Sequence, residues 1–301
     1  MTTTLALIAL LDGISYASLL FLVAVGLTLI FGVLGVLNVA HGSLYAIGAY
    51  MAATLGGWLT AQGFNPWLTF PALMAAAIIT GVVVGGLMER FLLRQIYEKD
   101  PTLQLLITFA VFMVLENVQR MVWGVQPYFM SEPLRALGNV ELLGIRYTAY
   151  QIVFLPIMAI LTMVGLRYFL RHTLAGAKIV AVTEDREAAT AIGIDARKVY
   201  FVTFTIGACL AAMGGALATP TTSVLPGMGA NMIVLSFAVA ATAGLGNIEG
   251  ALLAALLIGV ARSFAVYIMP ETEVLMPYLI MVLILLWRPM GLFGAVQARK
   301  I

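Results

Sequence analysis

Charged side chains are scarce in this sequence. Only 10% of its 301 residues are Asp, Glu, Lys or Arg and 62% are hydrophobic, whereas soluble domains carry about 25% charged residues. Between Gly13 and Met88 there is no charged residue at all. Because a membrane helix needs about 20 apolar residues, this stretch has room for several crossings. The composition excludes a water-soluble globule and predicts an all-α, polytopic transmembrane bundle.

Other absences exclude several kinds of chemistry. Cys209 is the only cysteine, and His41 and His172 are the only histidines, so neither an internal disulfide nor a Cys or His metal site is expected. None of the four lysines follows a glycine, which excludes a phosphate-binding Gly-Lys-Ser/Thr loop. We therefore predict no catalytic residue, no metal and no cofactor bound by this chain. The net charge of +2 also argues against a nucleic-acid partner, and Met1 to Leu11 lacks the basic region of a cleaved signal.

Apolar runs separated by polar residues, Gly or Pro predict eight to ten spans in a single domain, 1–301. Nine candidates lie near residues 8–36, 41–60, 68–90, 102–121, 148–169, 199–219, 231–246, 251–269 and 274–288. Gly26, Gly32, Gly35 and Asn38 interrupt the first run, so we predict a broken helix there. Non-helical backbone at membrane depth is tolerated only where protein or a water-filled cavity covers it.

The Lys and Arg residues predict the orientation, because short cytoplasmic loops carry the basic excess. Twelve of the sixteen lie in the loop 89–101, the inner loop at about 170–198 with its flanking Arg167, and the C-terminal tail. Three lie on the other side, all in or beside the outer loop at about 122–147, and Arg262 falls within a span. The C-terminus is thus predicted to be cytoplasmic. Nine spans would put the N-terminus outside, and eight or ten would put it inside.

A weak internal repeat marks a candidate transport path. Asn38 to Gly42 and Asn247 to Gly250 each contain an Asn shortly before a Gly, where one apolar run ends and another begins. Broken segments in corresponding positions of two halves indicate a path at the repeat interface, although Gly is also simply common in membrane helices. The candidate path residues are Asn38, His41, Ser43, Asn247 and Glu249. The alternative is that Asn38 and His41 only cap helix ends.

The inner loop contains a short predicted helix from about 184 to 192. Thr183 is a candidate N-cap, Glu184 and Asp185 fall in the first turn, and Gly193 is placed for a left-handed terminator. The exposed set predicted to meet a partner's groove comprises Arg186, Glu187, Ala188, Ala189, Ile192 and Gly193. The alternative is an amphipathic helix that rests on lipid headgroups.

Five segments of the sequence carry a resemblance to a known family. Glu187-Ala-Ala-x-x-x-Gly193 is similar to the cytoplasmic loop of ATP-binding-cassette importer permeases, although the usual Ile and Leu-Pro do not follow it. The run from Gly26 to Tyr50 and the segment Gly244 to Gly250, together with Gln104–Phe109 and Leu115-Glu116, resemble the branched-chain amino-acid importer permeases, specifically the shorter of their two membrane subunits. The resemblance covers about residues 10 to 294.

This resemblance implies a permease subunit in a bacterial inner membrane. Its implied partners are two cytoplasmic ATPase subunits that bind ATP and Mg²⁺, a second related permease or a second copy of this chain, and a periplasmic solute-binding protein. The implied cargo is branched-chain amino acids, with urea, short amides or carboxylates as alternatives.

Two other classes remain open, a self-contained channel or ion-coupled carrier and an intramembrane enzyme. Ion-coupled carriers are expected to pair carboxylates or histidines inside the membrane, whereas the clear internal charges here are Glu116 and Arg262. Glu116 precedes Arg120 by one helical turn, which predicts a local ion pair.

Overall fold

The computed structural model describes residues 3–142 and 144–294, which form a helical bundle with little sheet. The helices in chain order are α1 (Thr3–Leu34), α2 (His41–Ala61), α3 (Thr69–Ile79), α4 (Gly86–Phe91), α5 (Pro101–Trp123), α6 (Glu132–Leu137), α7 (Leu155–His172), α8 (Leu174–Glu184), α9 (Arg186–Ala191), α10 (Ala196–Ala218), α11 (Met228–Ala243), α12 (Ile248–Ile268) and α13 (Met276–Trp287). A π-helical turn at Thr80–Gly85 joins α3 to α4, and another at Tyr150–Phe154 precedes α7. Single 3₁₀ turns occupy Pro66–Leu68, Leu93–Gln95 and Pro270–Thr272.

The prediction of a polytopic helical bundle is confirmed. Each of the nine predicted crossings coincides with a helical segment, and six segments of the described chain are long and apolar enough to span a membrane. Those six are Thr4–Leu34, Pro66–Gln95, Pro101–Trp123, Tyr150–His172, Ala196–Ala218 and Ile248–Ile268. The helices α11 and α13 are apolar but shorter, and α2 is not among the six although it has 21 residues.

Helix α1 forms the centre of the bundle. Its residues 20–25 have no exposed surface, as expected for a helix that is apolar on every side. Small residues allow neighbouring helices to approach it closely. A Cβ added to Gly259 of α12 would lie 2.7 Å from the Cβ of Ala17, and one added to Gly26 would lie 2.6 Å from the carbonyl oxygen of Gly207 in α10.

The two polar connections hold short ordered elements. In the outer one, α6 is followed by an antiparallel pair of strands, β1 (Asn139–Leu142) and β2 (Ile145–Thr148). In the inner one, α8 and α9 lie between α7 and α10. The tail folds back onto the bundle, since the amides of Leu292 and Phe293 donate to the carbonyls of Thr242 and Ala243, at 2.9 Å each.

The first apolar run is interrupted later than predicted. Helix α1 continues through Gly26 and Gly32, because both glycines keep a helical backbone and sit against the backbone of Gly207 and Gly246. It ends where Gly35 adopts a φ of +68°. Residues 35–40 then return along α1, since Nε2 of His41 lies 3.0 Å from the carbonyl oxygen of Val23. At a rise of 1.5 Å per residue, Val23 lies about 16 Å along α1 from Leu34, the last residue of that helix. Because His41, the first residue of α2, contacts Val23, α2 begins inside the bundle.

Helix α11 also begins inside the bundle, next to α2. A Cβ added to Gly42 would lie 2.4 Å from the carbonyl oxygen of Gly229, so the first turns of the two helices touch. Helices α1 and α10 are antiparallel, because Gly207 packs against Ile30 while Gly214 packs against Val23. The segment that follows α1 and the segment that follows α10 therefore enter the bundle from opposite sides. Helices α2 and α11 cross each other at their first turns.

Candidate functional site

The return segment, residues 35–40, is held against α5 by polar contacts. The hydroxyl of Thr108 shares its proton between the carbonyls of Leu37 at 3.2 Å and Leu105 at 3.1 Å, and it accepts from the amide of Val39 at 3.4 Å. One turn further along α5, the carbonyl of Phe112 accepts a hydrogen bond of 3.5 Å from the hydroxyl of Ser43. These contacts satisfy backbone groups that a membrane interior would otherwise leave unpaired.

The side chain of Asn38 is buried within this segment without a partner. Its relative exposure is 0%, and neither its amide oxygen nor its amide nitrogen makes a hydrogen bond with any described residue. Nδ1 of His41 is likewise buried and unpaired there. Leaving a buried polar group unpaired costs about 1–3 kcal/mol. The site thus holds unused donors and acceptors deep inside the chain.

Capping does not explain Asn38 or His41, contrary to the alternative raised by the sequence. The N-cap of α2 is Ala40, which makes no side-chain cap, and His41 is the first helical residue. Asn247 does act as a cap, since its Oδ1 accepts from the amide of Gly250 at 2.7 Å and its Nδ2 donates to the carbonyl of Phe293 at 3.1 Å.

The structure does not bring the two predicted sets of path residues together. Gly246, next to Asn247, lies against Gly32 near the end of α1, whereas His41 lies against Val23. Glu249 is 55% exposed in its side chain and pairs with Arg167 at 2.8 Å and with Arg171 at 3.9 Å. The group around Asn38 is therefore internal, and Glu249 belongs to the surface.

A polar stripe on α5 faces the return segment, and the sequence reasoning missed it. The buried residues of α5 are Gln104, Thr108, Phe112, Glu116 and Gln119, while the rest of the helix is largely apolar and exposed. Their spacing of three or four residues places them on one helical face, and this spacing is visible in the sequence. The predicted pair of Glu116 with Arg120 is confirmed at 3.2 Å.

Aromatic side chains join α2 and α5 beyond this stripe. The ring of Tyr50 stacks on Trp123 with centroids 5.1 Å apart and meets Tyr128 edge-on at 5.9 Å. Nε1 of Trp123 donates to the hydroxyl of Thr54 at 2.9 Å. The far end of α5 is thus fixed to α2, while its near end carries Gln104.

Helix α9 forms in the inner loop where the sequence predicts one, but with a different cap. Asp185 is the N-cap, and its carboxylate accepts from the amides of Glu187 and Ala188 at 3.0 Å each. Thr183 does not serve this role, because it belongs to α8 and its hydroxyl donates back to the carbonyl of Ile179. Gly193 adopts a φ of +92°, which confirms the predicted left-handed terminator.

The predicted partner-facing set is divided between surface and interior. Arg186, Glu187 and Ala188 are exposed, and Ile192 is 78% exposed. Ala189 does not face outwards, because it is only 3% exposed and lies in an apolar cluster with Ile179, Val182, Ala196, Val199 and Tyr200. It therefore anchors α9 to α8 and α10.

A series of side-chain contacts connects α9 with α5. The guanidinium of Arg186 lies 5.6 Å from the ring centroid of Tyr200 and 3.4 Å from a carboxylate oxygen of Glu98. Tyr200 meets Tyr97 edge-on at 5.0 Å, and burial raises the pKa of the Tyr97 phenol, which donates to Glu89 at 3.0 Å.

Gln104 completes this connection. Its Nε2 has two hydrogens and lies 2.9, 3.2 and 3.1 Å from the carbonyl oxygens of Ile96, Tyr97 and Lys99. It therefore ties the 96–99 loop to the first turn of α5. Thr108, one turn further along, contacts the return segment. These contacts form a continuous series from α9 to residues 37–39.

Within the described ranges, no group of three or more His, Cys, Asp and Glu side chains could hold a metal ion.

Arg262, the charge left within a span, is hydrogen-bonded to Glu273 and lies 4.0 Å from the ring centroid of Tyr16. Glu116 and Arg262, the two internal charges named from the sequence, are thus each paired with a nearby residue.

Comparison with known proteins identifies close likenesses over the whole length. The chain is 28% identical over 296 residues to the high-affinity branched-chain amino acid transport system permease protein LivH of Salmonella typhimurium, covering 96% of each chain. It is 28% identical over 301 residues to the corresponding protein BraD of Pseudomonas aeruginosa, covering 97% of each. With LivM of Escherichia coli it shares 28% over 293 residues, which is 90% of this chain and 67% of LivM.

A solved structure, PsaBC from Streptococcus pneumoniae in complex with Fab, aligns with 90% of the chain at a TM-score of 0.48 and 12% identity, a likeness too loose to carry an argument. The family described as "Branched-chain amino acid transport system / permease component" matches residues 9–285. That match covers most of the chain, which is a multi-pass membrane protein and a member of this permease family.

Proposed function

We propose that the chain is the permease subunit of an ATP-driven importer that carries branched-chain amino acids. The observation that supports this proposal is the connection from α9, through Tyr97 and Gln104, to the internal return segment beside Asn38. A permease driven by a separate motor needs such a link between its cytoplasmic surface and its path. The family and the relatives named above are transport permeases.

In this proposal the ATPase subunits, which bind ATP and Mg²⁺, dock on the exposed part of α9. Arg186, Glu187, Ala188 and Ile192 make the contact, Gly193 ends the helix, and Ala189 holds it to the bundle. A second permease subunit, or a second copy of this chain, completes the membrane unit. A periplasmic binding protein delivers the solute, and the C-terminus is cytoplasmic in the inner membrane.

The path runs beside Asn38, His41 and Ser43 in this proposal, with Asn247 and Glu249 at its cytoplasmic end. The unpaired amide of Asn38 supports this, because it offers two donors and an acceptor to a polar solute. Weak binding suits a permease whose partner protein selects the cargo. Urea, short amides and carboxylates would satisfy the same groups and are the alternative cargo.

Reconstitution tests whether transport depends on the ATPase subunits. Proteoliposomes that contain this chain, its second permease, the ATPases and the binding protein should accumulate radiolabelled leucine only with ATP. Uptake by the permeases without ATPase subunits would contradict the proposal and favour a channel or an ion-coupled carrier. Binding of leucine, isoleucine, valine, urea or short amides to the purified binding protein identifies the cargo.

Charge reversal tests the docking surface. Glu187→Lys should lower the recovery of ATPase with the permease by about tenfold or more, because it reverses the charge at the proposed contact. The matched control is Glu184→Lys, an exposed glutamate at the end of α8 outside the proposed contact. Equal recovery of ATPase with both variants and with the unchanged chain would remove the basis for docking on α9.

A variant of Asn38 tests the path. Asn38→Leu removes unpaired buried polar atoms and should leave folding intact or improve it, while it lowers uptake by about tenfold through loss of the polar contact. The control is Asn117→Leu, because Asn117 is exposed on α5 and bonds only within its own helix. Unchanged uptake in Asn38→Leu would show that the solute does not pass this residue.

A further inference from the structure

A groove of about 950 Å³ lies between α4 and the first turns of α10. We call it the inner groove, because it opens on the side that carries the basic loops and is therefore cytoplasmic. Its lining residues are Glu89, Arg90, Arg94, Arg186, Thr190, Gly193, Ile194, Asp195, Ala196, Arg197, Lys198, Phe201 and Val202. The proposed transport path does not use this groove, although Arg186 and Gly193, which line it, also belong to the proposed ATPase docking surface.

The inner groove has an excess of unpaired positive charge. Its two carboxylates are already engaged, since Glu89 accepts from the phenol of Tyr97 and Asp195 accepts from the backbone amides of Arg197 and Lys198. Arg186 pairs with Glu98 outside the groove. Among the described residues, Arg90, Arg94 and Arg197 form no salt bridge with any carboxylate. Three guanidinium groups are thus available to an anion.

The floor of the groove is apolar and continues towards the bilayer. Phe201 and Val202 of α10 are each 39% exposed, and Leu87 and Phe91 of α4 are 53% and 63% exposed. Leu87 precedes Arg90 by three residues and so lies on the same face of α4. Both walls belong to segments long and apolar enough to cross a membrane. The positive charge therefore lies at the end of a strip of exposed apolar surface.

We propose that the inner groove binds the headgroup of an anionic phospholipid. Its phosphate is held by Arg90, Arg94 and Arg197, whose planar donors match phosphate oxygens, and one acyl chain lies along Phe201 and Leu87. Basic pockets between membrane helices on the cytoplasmic side bind such headgroups. An acidic segment of a partner protein would use the arginines but would leave the apolar floor unfilled, which is why the lipid is the better fit.

Native mass spectrometry of the purified full-length chain tests this assignment. The chain is incubated with phosphatidylglycerol or phosphatidylcholine of matched acyl chains, and bound lipid is counted. Phosphatidylglycerol should be retained in preference. Each basic residue contributes roughly a fivefold gain in binding to an anionic lipid, so Arg90→Gln with Arg94→Gln should weaken retention about 30-fold. The pair Arg90→Lys with Arg94→Lys keeps the charge and should retain most of the lipid.

Charge-matched substitutions elsewhere serve as the control. Arg135→Gln with Arg146→Gln removes two exposed basic side chains outside the inner groove and should leave retention unchanged. Equal retention of both lipids by the unchanged chain would overturn the proposal, as would equal loss in the two double-glutamine variants. Inorganic phosphate should not displace the lipid, and complete displacement by phosphate or by the ATPase subunits would assign the groove to a free anion or to a protein. None of these readouts depends on the transported solute.

Discussion

The hydroxyl of Thr108 should control how firmly residues 37–39 are held. Thr108→Val preserves the shape of the side chain but removes a donor to the carbonyl of Leu37 and an acceptor for the amide of Val39. A net hydrogen bond contributes about 1 kcal/mol and an unpaired buried group costs about 1–3 kcal/mol. We expect the free energy of local opening to fall by about 2 kcal/mol, which corresponds to about 30-fold faster amide exchange.

Hydrogen–deuterium exchange in nanodiscs measures this effect directly. Peptides covering residues 35–41 should exchange faster in Thr108→Val, while peptides from α10 and α12 keep the rate of the unchanged chain. Thr102→Val is the matched control, because the hydroxyl of Thr102 makes no hydrogen bond with a described residue although it lies on the same helix. Exchange at residues 35–41 that is equal in both variants would refute the role of Thr108 as an anchor.

Three further predictions concern Gln104, Ala189 and Asp195. Gln104→Leu should release the 96–99 loop and lower uptake per ATP hydrolysed, whereas ATPase recovery on the permease stays unchanged; a parallel fall in both would contradict a linking role. Ala189→Asp should destabilise α9 by about 2–3 kcal/mol because it buries an unpaired charge, measured as thermal unfolding, whereas Ile192→Asp at the exposed position should not. The hydrogen bond from the amide of Lys198 is the main cause that holds the pKa of Asp195 below its ordinary value, so the carboxylate stabilises the start of α10 fully above about pH 4, and this stabilisation is lost as the pH falls further. In melting curves measured from pH 7 to 3, acid should therefore lower the melting temperature less in Asp195→Asn than in the unchanged chain. Identical pH dependence in the two proteins would contradict this role of Asp195.

Local patterns in the sequence predicted the helical segments well, but they did not predict which segments contact each other. The apolar runs located the nine helical segments, and the Glu-Ala-Ala run with Gly193 located α9. Local patterns could not predict the position of the return segment, because the hydrogen bond that holds it joins Leu37 to Thr108, 71 residues away. The N-cap was misplaced because Thr183 and Asp185 are both good caps, and the choice depends on α8, which extends to Glu184. Ala189 is buried and Ile192 is exposed only because Ala189 packs against α8 and α10.

The start of α2 inside the bundle also limits how a solute can be recognised there. A helix N-terminus usually offers free amides and a positive dipole to an anion. Here the amides of His41, Gly42 and Ser43 already donate to the carbonyls of Asn38, Val39 and Ala40, at 3.2, 3.3 and 3.0 Å. A carboxylate would therefore find no unpaired amide in these first positions. The side-chain amide of Asn38 remains, with donors for a carboxylate and an acceptor for an ammonium group. In the proposed path, this amide would suit a zwitterion better than a simple anion.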